Sequence, residues 1–174
     1  YEFLNVPLED GEWLLNEFLS EGSDPEMRWA LLEGSLISHI GDARFRRAVE
    51  EMFETPWIEP VVIVPKTAHY CWRRSAGLFG LGRDNYRKVD VDNEFRTSPK
   101  DLERVLTECA EERCPIIQIV FVVGTTEFGS IDQVGELADV RDRMAAKGTY
   151  APIHVDGAYG GYFATMFRRG ADPV

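Results

Sequence analysis

Ile116-Ile117-Gln118-Ile119-Val120-Phe121-Val122-Val123, followed by Gly124-Thr125-Thr126, is the stretch that decides the fold. Its apolar, largely β-branched run reads as the strongest strand of the chain, and Gly124-Thr125-Thr126 as the loop leaving it. Upstream, Val61-Val62-Ile63-Val64 is wholly apolar and reads as a strand buried on both faces, as in parallel sheets. Tyr86 to Val91 reads as another strand. Downstream, Pro152 to Val155 reads as a fourth, with Asp156 at its C-terminal end and a glycine-rich turn, Gly157 to Gly161, after it.

Helical patterns fill the intervals. Gly11 to Leu19 has the apolar spacing of an amphipathic helix. A second helical stretch runs from about Met27 to Phe53 and ends at Thr55-Pro56, because Pro restricts the residue before it. Trp72 to Leu81 reads as a helix closed by Gly82. Ser98 is the expected N-cap, with Pro99 at the first helical position, of a helix reaching about Glu112. Another helix runs from about Gln133 to Lys147 and stops at Gly148. Strands thus alternate with helices, which predicts an α/β fold: a mainly parallel sheet with flanking helices.

Composition narrows the function classes. A net charge of −11 repels a phosphate backbone, so nucleic acid is not an expected partner. No apolar run is long enough for a membrane span, and the first residues lack the basic start of a signal peptide. Cys71, Cys109 and Cys114 form no CxxC pair, and His39, His69 and His154 are scattered. Neither a disulfide framework nor a metal site is expected, and a reducing, cytoplasmic setting fits. The absent initiator Met reads as a trimmed or partial N-terminus.

In open α/β sheets, ligands bind beyond the carboxyl ends of the strands. Three such segments carry chemistry: Pro65-Lys66-Thr67-Ala68-His69-Tyr70, Gly124-Thr125-Thr126-Glu127-Phe128-Gly129-Ser130-Ile131-Asp132, and His154-Val155-Asp156-Gly157-Ala158-Tyr159-Gly160-Gly161-Tyr162. Taken singly, each has a bland reading. Asp156 serves equally as a turn or cap residue. His69 serves as a partly buried structural histidine, and Gly124-Thr125-Thr126 as a tight turn.

In this order, the three segments resemble the group II pyridoxal-phosphate-dependent amino acid decarboxylases, which include glutamate, aspartate, aromatic amino acid and histidine decarboxylases. The resemblance runs from about Gly11 to Phe167. It implies part of the large domain of the aspartate-aminotransferase-like fold, over residues 1–174, with an N-terminal helix and loop at 1–25 and a cofactor-binding α/β region at 26–174. It implies pyridoxal 5'-phosphate as cofactor and decarboxylation of an L-amino acid in a cytoplasmic, oligomeric enzyme. Asp156, in Asp156-Gly157-Ala158, would pair with the pyridinium, and Ala158 would lie against one ring face. His69 would cover the other face and serve catalysis at the substrate carboxylate or in protonation, while Thr126 would contact the cofactor. The wording around Glu127 and Gly160-Gly161-Tyr162-Phe163 favours an acidic substrate such as glutamate or aspartate.

Two departures from the family pattern matter. The small polar residues that would cradle the phosphate are replaced by Trp29-Ala30-Leu31-Leu32, which leaves Gly34 and Ser35 as the candidate phosphate contacts or, equally, as a helix start. The Schiff-base lysine of the family lies downstream of Asp-x-Ala, whereas Lys66, Lys88, Lys100 and Lys147 all precede Asp156. The expectation is therefore a chain inactive alone, whose lysine comes from a second polypeptide in a larger assembly or homo-oligomer, or from the rest of a longer enzyme of which this is a cut piece. The alternatives are a non-catalytic degenerate subunit or scaffold, and another pyridoxal-phosphate carbon–carbon lyase such as a sphingosine-phosphate-lyase-like enzyme.

Overall fold

The computed structural model describes residues 7–22 and 24–164; both ends of the expected domain, 1–6 and 165–174, lie outside the described residues. The described residues fall into two compact units, 7–58 and 59–164.

The first unit is helical. It contains α1 (Leu8–Ser20), α2 (Pro25–Ser35), α3 (Ile37–Ile40) and α4 (Asp42–Phe53). Asp24 caps α2, its carboxylate accepting from the Met27 amide at 3.0 Å, and Pro25 takes the first helical position. The single helix expected from Met27 to Phe53 is thus three. The chain turns extended at Leu36, and at Gly41, where φ is 76°, it adopts a backbone that side chains resist. Gly34 and Ser35 close α2 rather than opening a helix.

The second unit is the α/β region. Its elements are β1 (Val61–Pro65), α5 (Cys71–Leu78), β2 (Tyr86–Val89), α6 (Pro99–Glu111), β3 (Ile116–Val122), α7 (Val134–Ala145), β4 (Ile153–Asp156) and the short α8 (Gly161–Ala164). The sheet order is β2-β1-β3-β4, and all three pairings are parallel. Period-two alternation sends β1 side chains both ways. Val61 and Ile63 join Ile119 and Phe121 of β3 in one core; Val62 and Val64 join Val120 in another.

α6 and α7 cover the first core with Leu102, Val105, Leu106, Cys109, Leu137, Val140 and Met144, at the three- and four-residue spacing of an apolar helix stripe. The second core is packed by Ala68, Trp72, Leu81 and Tyr86, so α5 lies on the opposite face. Ser98 caps α6 as expected, accepting from the Asp101 amide at 3.3 Å. β2 is shorter than expected: Val91 leaves the sheet and bridges antiparallel to Thr97. The helix expected over Trp72 to Leu81 stops at Leu78.

This order creates a switch point. The chain leaves β1 toward α5 on one face and leaves β3 toward α7 on the other. The two post-strand loops therefore diverge, and a crevice opens at their carboxyl ends.

Asp132 secures the β3 side of that crevice. It is buried, and its carboxylate accepts from the Thr97 amide (2.7 Å), the Thr97 hydroxyl (2.8 Å) and the Val122 amide (2.7 Å). Asp132→Ala strands these donors in a water-poor site. The expected cost is about 3 kcal/mol or more, read as a lower urea midpoint at unchanged slope.

Candidate active site

A cavity of about 650 Å³ occupies the crevice, lined from the loops after β1, β3 and β4. Its size is that of an ordinary small-molecule site. His69, Thr126, Asp156 and Ala158 all line it. Three separate sequence segments therefore meet where the bland readings gave no reason for them to meet.

Asp156 ends β4 half-buried. Its Oδ2 accepts from the Trp72 indole Nε1 at 2.9 Å, and its Oδ1 accepts from the Ala158 amide at 3.2 Å. Each oxygen has one fixed donor, and an ionised carboxylate keeps further acceptor sites free. His69 follows β1; its Nδ1 accepts from the Cys71 amide at 3.3 Å. In its neutral form the ring therefore carries its proton on Nε2. The imidazole lies against the Tyr70 ring with centroids 4.0 Å apart.

The two threonines of the β3 loop divide their work. Thr125 is buried, its Oγ1 hydrogen-bonded to the Ser130 hydroxyl (2.9 Å) and amide (3.1 Å), which folds the loop. Thr126 is exposed on the cavity side. Gly124 turns the chain at φ 84°, and Gly160 packs directly on it. Ser35 belongs to the 7–58 unit, where its hydroxyl donates to the Leu31 carbonyl of the same helix at 2.8 Å.

Several lining residues had no role in the sequence reading. Trp72 read only as part of a helix, although a buried indole N–H needs an acceptor. Phe128 lines the cavity and stacks on Phe95, with centroids 4.1 Å apart and planes 6° off parallel. Phe95 stands at φ 61°, in a turn where Asp92 accepts from the Glu94 and Arg96 amides at 2.8 and 2.9 Å. Lys66 also lines the cavity, ion-paired with Asp90. Among the described residues no group of His, Cys, Asp and Glu is placed to hold a metal ion, and no helix is long and apolar enough to cross a membrane.

Cys71 is exposed on the cavity wall, whereas Cys109 and Cys114 are buried. Burial pushes the Cys109 thiol up to about 12 and the Cys114 thiol upward as well. Thiolate is the reactive form, so iodoacetamide on the native chain should label Cys71 and spare the other two. Peptide mapping by mass spectrometry checks this; early labelling of Cys109 would contradict the burial.

The crevice thus gathers the aspartate that ends β4 and the histidine that follows β1. The model of the pyridoxal-dependent decarboxylase conserved domain matches residues 42–172. The chain belongs to that family. An L-tyrosine decarboxylase of Enterococcus faecalis is 39% identical over 105 residues, which are 60% of this chain and 17% of that protein. A probable L-tyrosine/L-aspartate decarboxylase of Methanothermobacter thermautotrophicus is 30% identical over 155 residues, 89% of this chain and 37% of that protein. The crystal structure of mouse CSAD matches with a TM-score of 0.56 at 30% identity, over 70% of this chain and 25% of that one. The fold is the aspartate-aminotransferase-like fold of pyridoxal-phosphate decarboxylases, and the family's cofactor is pyridoxal phosphate. The chain thus spans well under half the length of these relatives.

The residues present fit the ring end of that cofactor. A carboxylate held by two N–H donors offers free acceptor sites to a pyridinium N–H, and an imidazole and a methyl group line the same cavity.

Proposed function

We propose that this chain forms the cofactor-binding part of a pyridoxal-phosphate-dependent carboxy-lyase acting on an L-amino acid. The observation that carries this reading is the meeting of His69, Thr126, Asp156 and Ala158 in one cavity. Pyridoxal phosphate, once bound, supplies an electron sink for the carbanion left when CO2 departs. The chain's own residues bind and orient. Asp156 holds a proton on the ring nitrogen by charge pairing. Ala158 and His69 would flank the ring and Thr126 would contact the cofactor, and Ser35 is kept as the proposed phosphate contact. His69, with its proton on Nε2, donates to the substrate carboxylate.

An acidic substrate, glutamate or aspartate, is the favoured class. The wording around Glu127 and Gly160-Gly161-Tyr162-Phe163 supports it; Lys66, the one lysine or arginine among the described residues lining the cavity, is ion-paired with Asp90. The covalent lysine is supplied from outside residues 1–174, by a second polypeptide or another stretch of one chain, in an oligomer; residues 1–174 alone would then be inactive. The free cysteines support a cytoplasmic setting. A non-catalytic scaffold is the second reading, favoured by the apolar Trp29 to Leu32 segment and the engaged Ser35 hydroxyl.

The deciding experiment copurifies the chain with its cellular partners and measures CO2 release from L-glutamate, L-aspartate and L-tyrosine with added pyridoxal 5'-phosphate. Release fastest from an acidic substrate is expected. Fastest release from tyrosine overturns the substrate class. A cofactor-binding complex that releases no CO2 from these three, nor from L-histidine, L-tryptophan and the other protein amino acids, supports the scaffold.

A further inference from the structure

We propose that Trp72 is a positioning residue for Asp156: its indole N–H fixes the carboxylate that receives the cofactor's ring nitrogen. The inference rests on the reading of Asp156 given above and adds a residue to it. Trp72 stands at the second position of α5, and Asp156 ends β4, 84 positions away. The indole Nε1 donates to Oδ2 at 2.9 Å across a half-buried gap.

The indole is itself anchored. One side packs on the Val62, Val64 and Val120 cluster, beside Ala68, Leu81 and Tyr86. Its ring also meets the His154 ring edge-on, with centroids 5.2 Å apart and planes at 64°. A side chain fixed by the core thus presents its single donor to one carboxylate oxygen, while the Ala158 amide takes the other. Two donors on different oxygens set the carboxylate plane, which a single donor would leave free to rotate. The direction of the remaining lone pairs is set with it, and those lone pairs must meet a ring N–H in a narrow geometry. Phe at this position would keep an aromatic ring on the cluster and lose the donor, with the second indole ring's volume lost as well.

The test is a double-mutant cycle on equilibrium affinity for pyridoxal 5'-phosphate, measured on the chain with its copurifying partners. It uses Trp72→Phe, Asp156→Asn and the pair. If Trp72 acts through Asp156, Trp72→Phe weakens binding about tenfold, the loss expected for one hydrogen bond to a charged group. In the Asp156→Asn background it then adds little further loss. Equal loss in both backgrounds marks Trp72 as packing alone and overturns the proposal, as does no loss at all. If Trp72→Phe fails to fold, 3-benzothienylalanine at position 72 replaces it in the cycle, keeping the bicyclic shape and substituting sulfur for the N–H. An unchanged affinity in Asp156→Asn, or no binding by the unaltered protein, overturns the reading of Asp156 and this proposal with it. A loss in Asp156→Asn without one in Trp72→Phe overturns only the proposal.

Discussion

Asp156→Asn should weaken pyridoxal 5'-phosphate binding more than any other single substitution in the cavity. The change is isosteric, so packing and the turn at Gly157 survive. It removes, at a half-buried site, the negative charge that on the proposed reading faces a ring cation. Removing one partner of such a pair costs about 2–5 kcal/mol of binding, which is roughly thirty- to several-thousand-fold in affinity. The amide also introduces two donors where the Trp72 indole and the Ala158 amide already donate, at 2.9 and 3.2 Å. One of those contacts must therefore break or turn. If the proposed function holds, turnover should fall further than affinity, because a neutral ring nitrogen withdraws electrons poorly. Equilibrium titration by cofactor absorbance measures the first effect, and unchanged affinity would rule out the assigned role.

Gly160→Ala should damage both stability and the cavity. A Cβ there would fall against the Val123 carbonyl oxygen and 2.7 Å from the Gly124 Cα. Both obstacles are backbone, with no flexible side chain to yield. The loop after β4 must then separate from the loop after β3, and these loops carry Asp156 and Ala158 on one side and Thr126 on the other. Overpacking against an unyielding neighbour costs about 1–3 kcal/mol or more. Gly161→Ala is the control, since nothing lies within 4 Å of its would-be Cβ. Urea unfolding should show a clear loss for Gly160→Ala and almost none for Gly161→Ala, and cofactor affinity should fall with the former. Equal stability of the two would mean that the loops are not clamped as described.

Much of the α/β region was legible in the sequence because its signals are local. Val61 to Val64 is apolar at every position, and only a strand covered on both faces tolerates that in a soluble domain. Ser98-Pro99 announced α6 by capping chemistry alone. The helical unit was less legible. Its apolar pattern continues through Leu36 and Gly41 without a proline, so three helices read as one. Gly41-Asp42 was the available signal for a restart.

At the site, the post-strand rule selected the segments that line the cavity, because switch-point geometry follows from strand order. Which side chains share hydrogen bonds did not follow. Asp132 stood inside a quoted motif, yet its partner Thr97 is 35 positions away. Trp72 read as an ordinary helix residue, and its acceptor could be found only after β1 and β4 were placed in one sheet. The Phe95–Phe128 stack depends on a left-handed residue that no propensity favours.

A crystal structure of the protein bound to pyridoxal 5'-phosphate would show directly whether His69, Thr126, Asp156 and Ala158 hold the cofactor. The ring is expected in the cavity between the His69 imidazole and the Ala158 methyl, with its nitrogen within hydrogen-bond distance of an Asp156 carboxylate oxygen and Thr126 at its edge. A ring bound elsewhere, or bound in the cavity with its nitrogen turned away from Asp156, would contradict that placement.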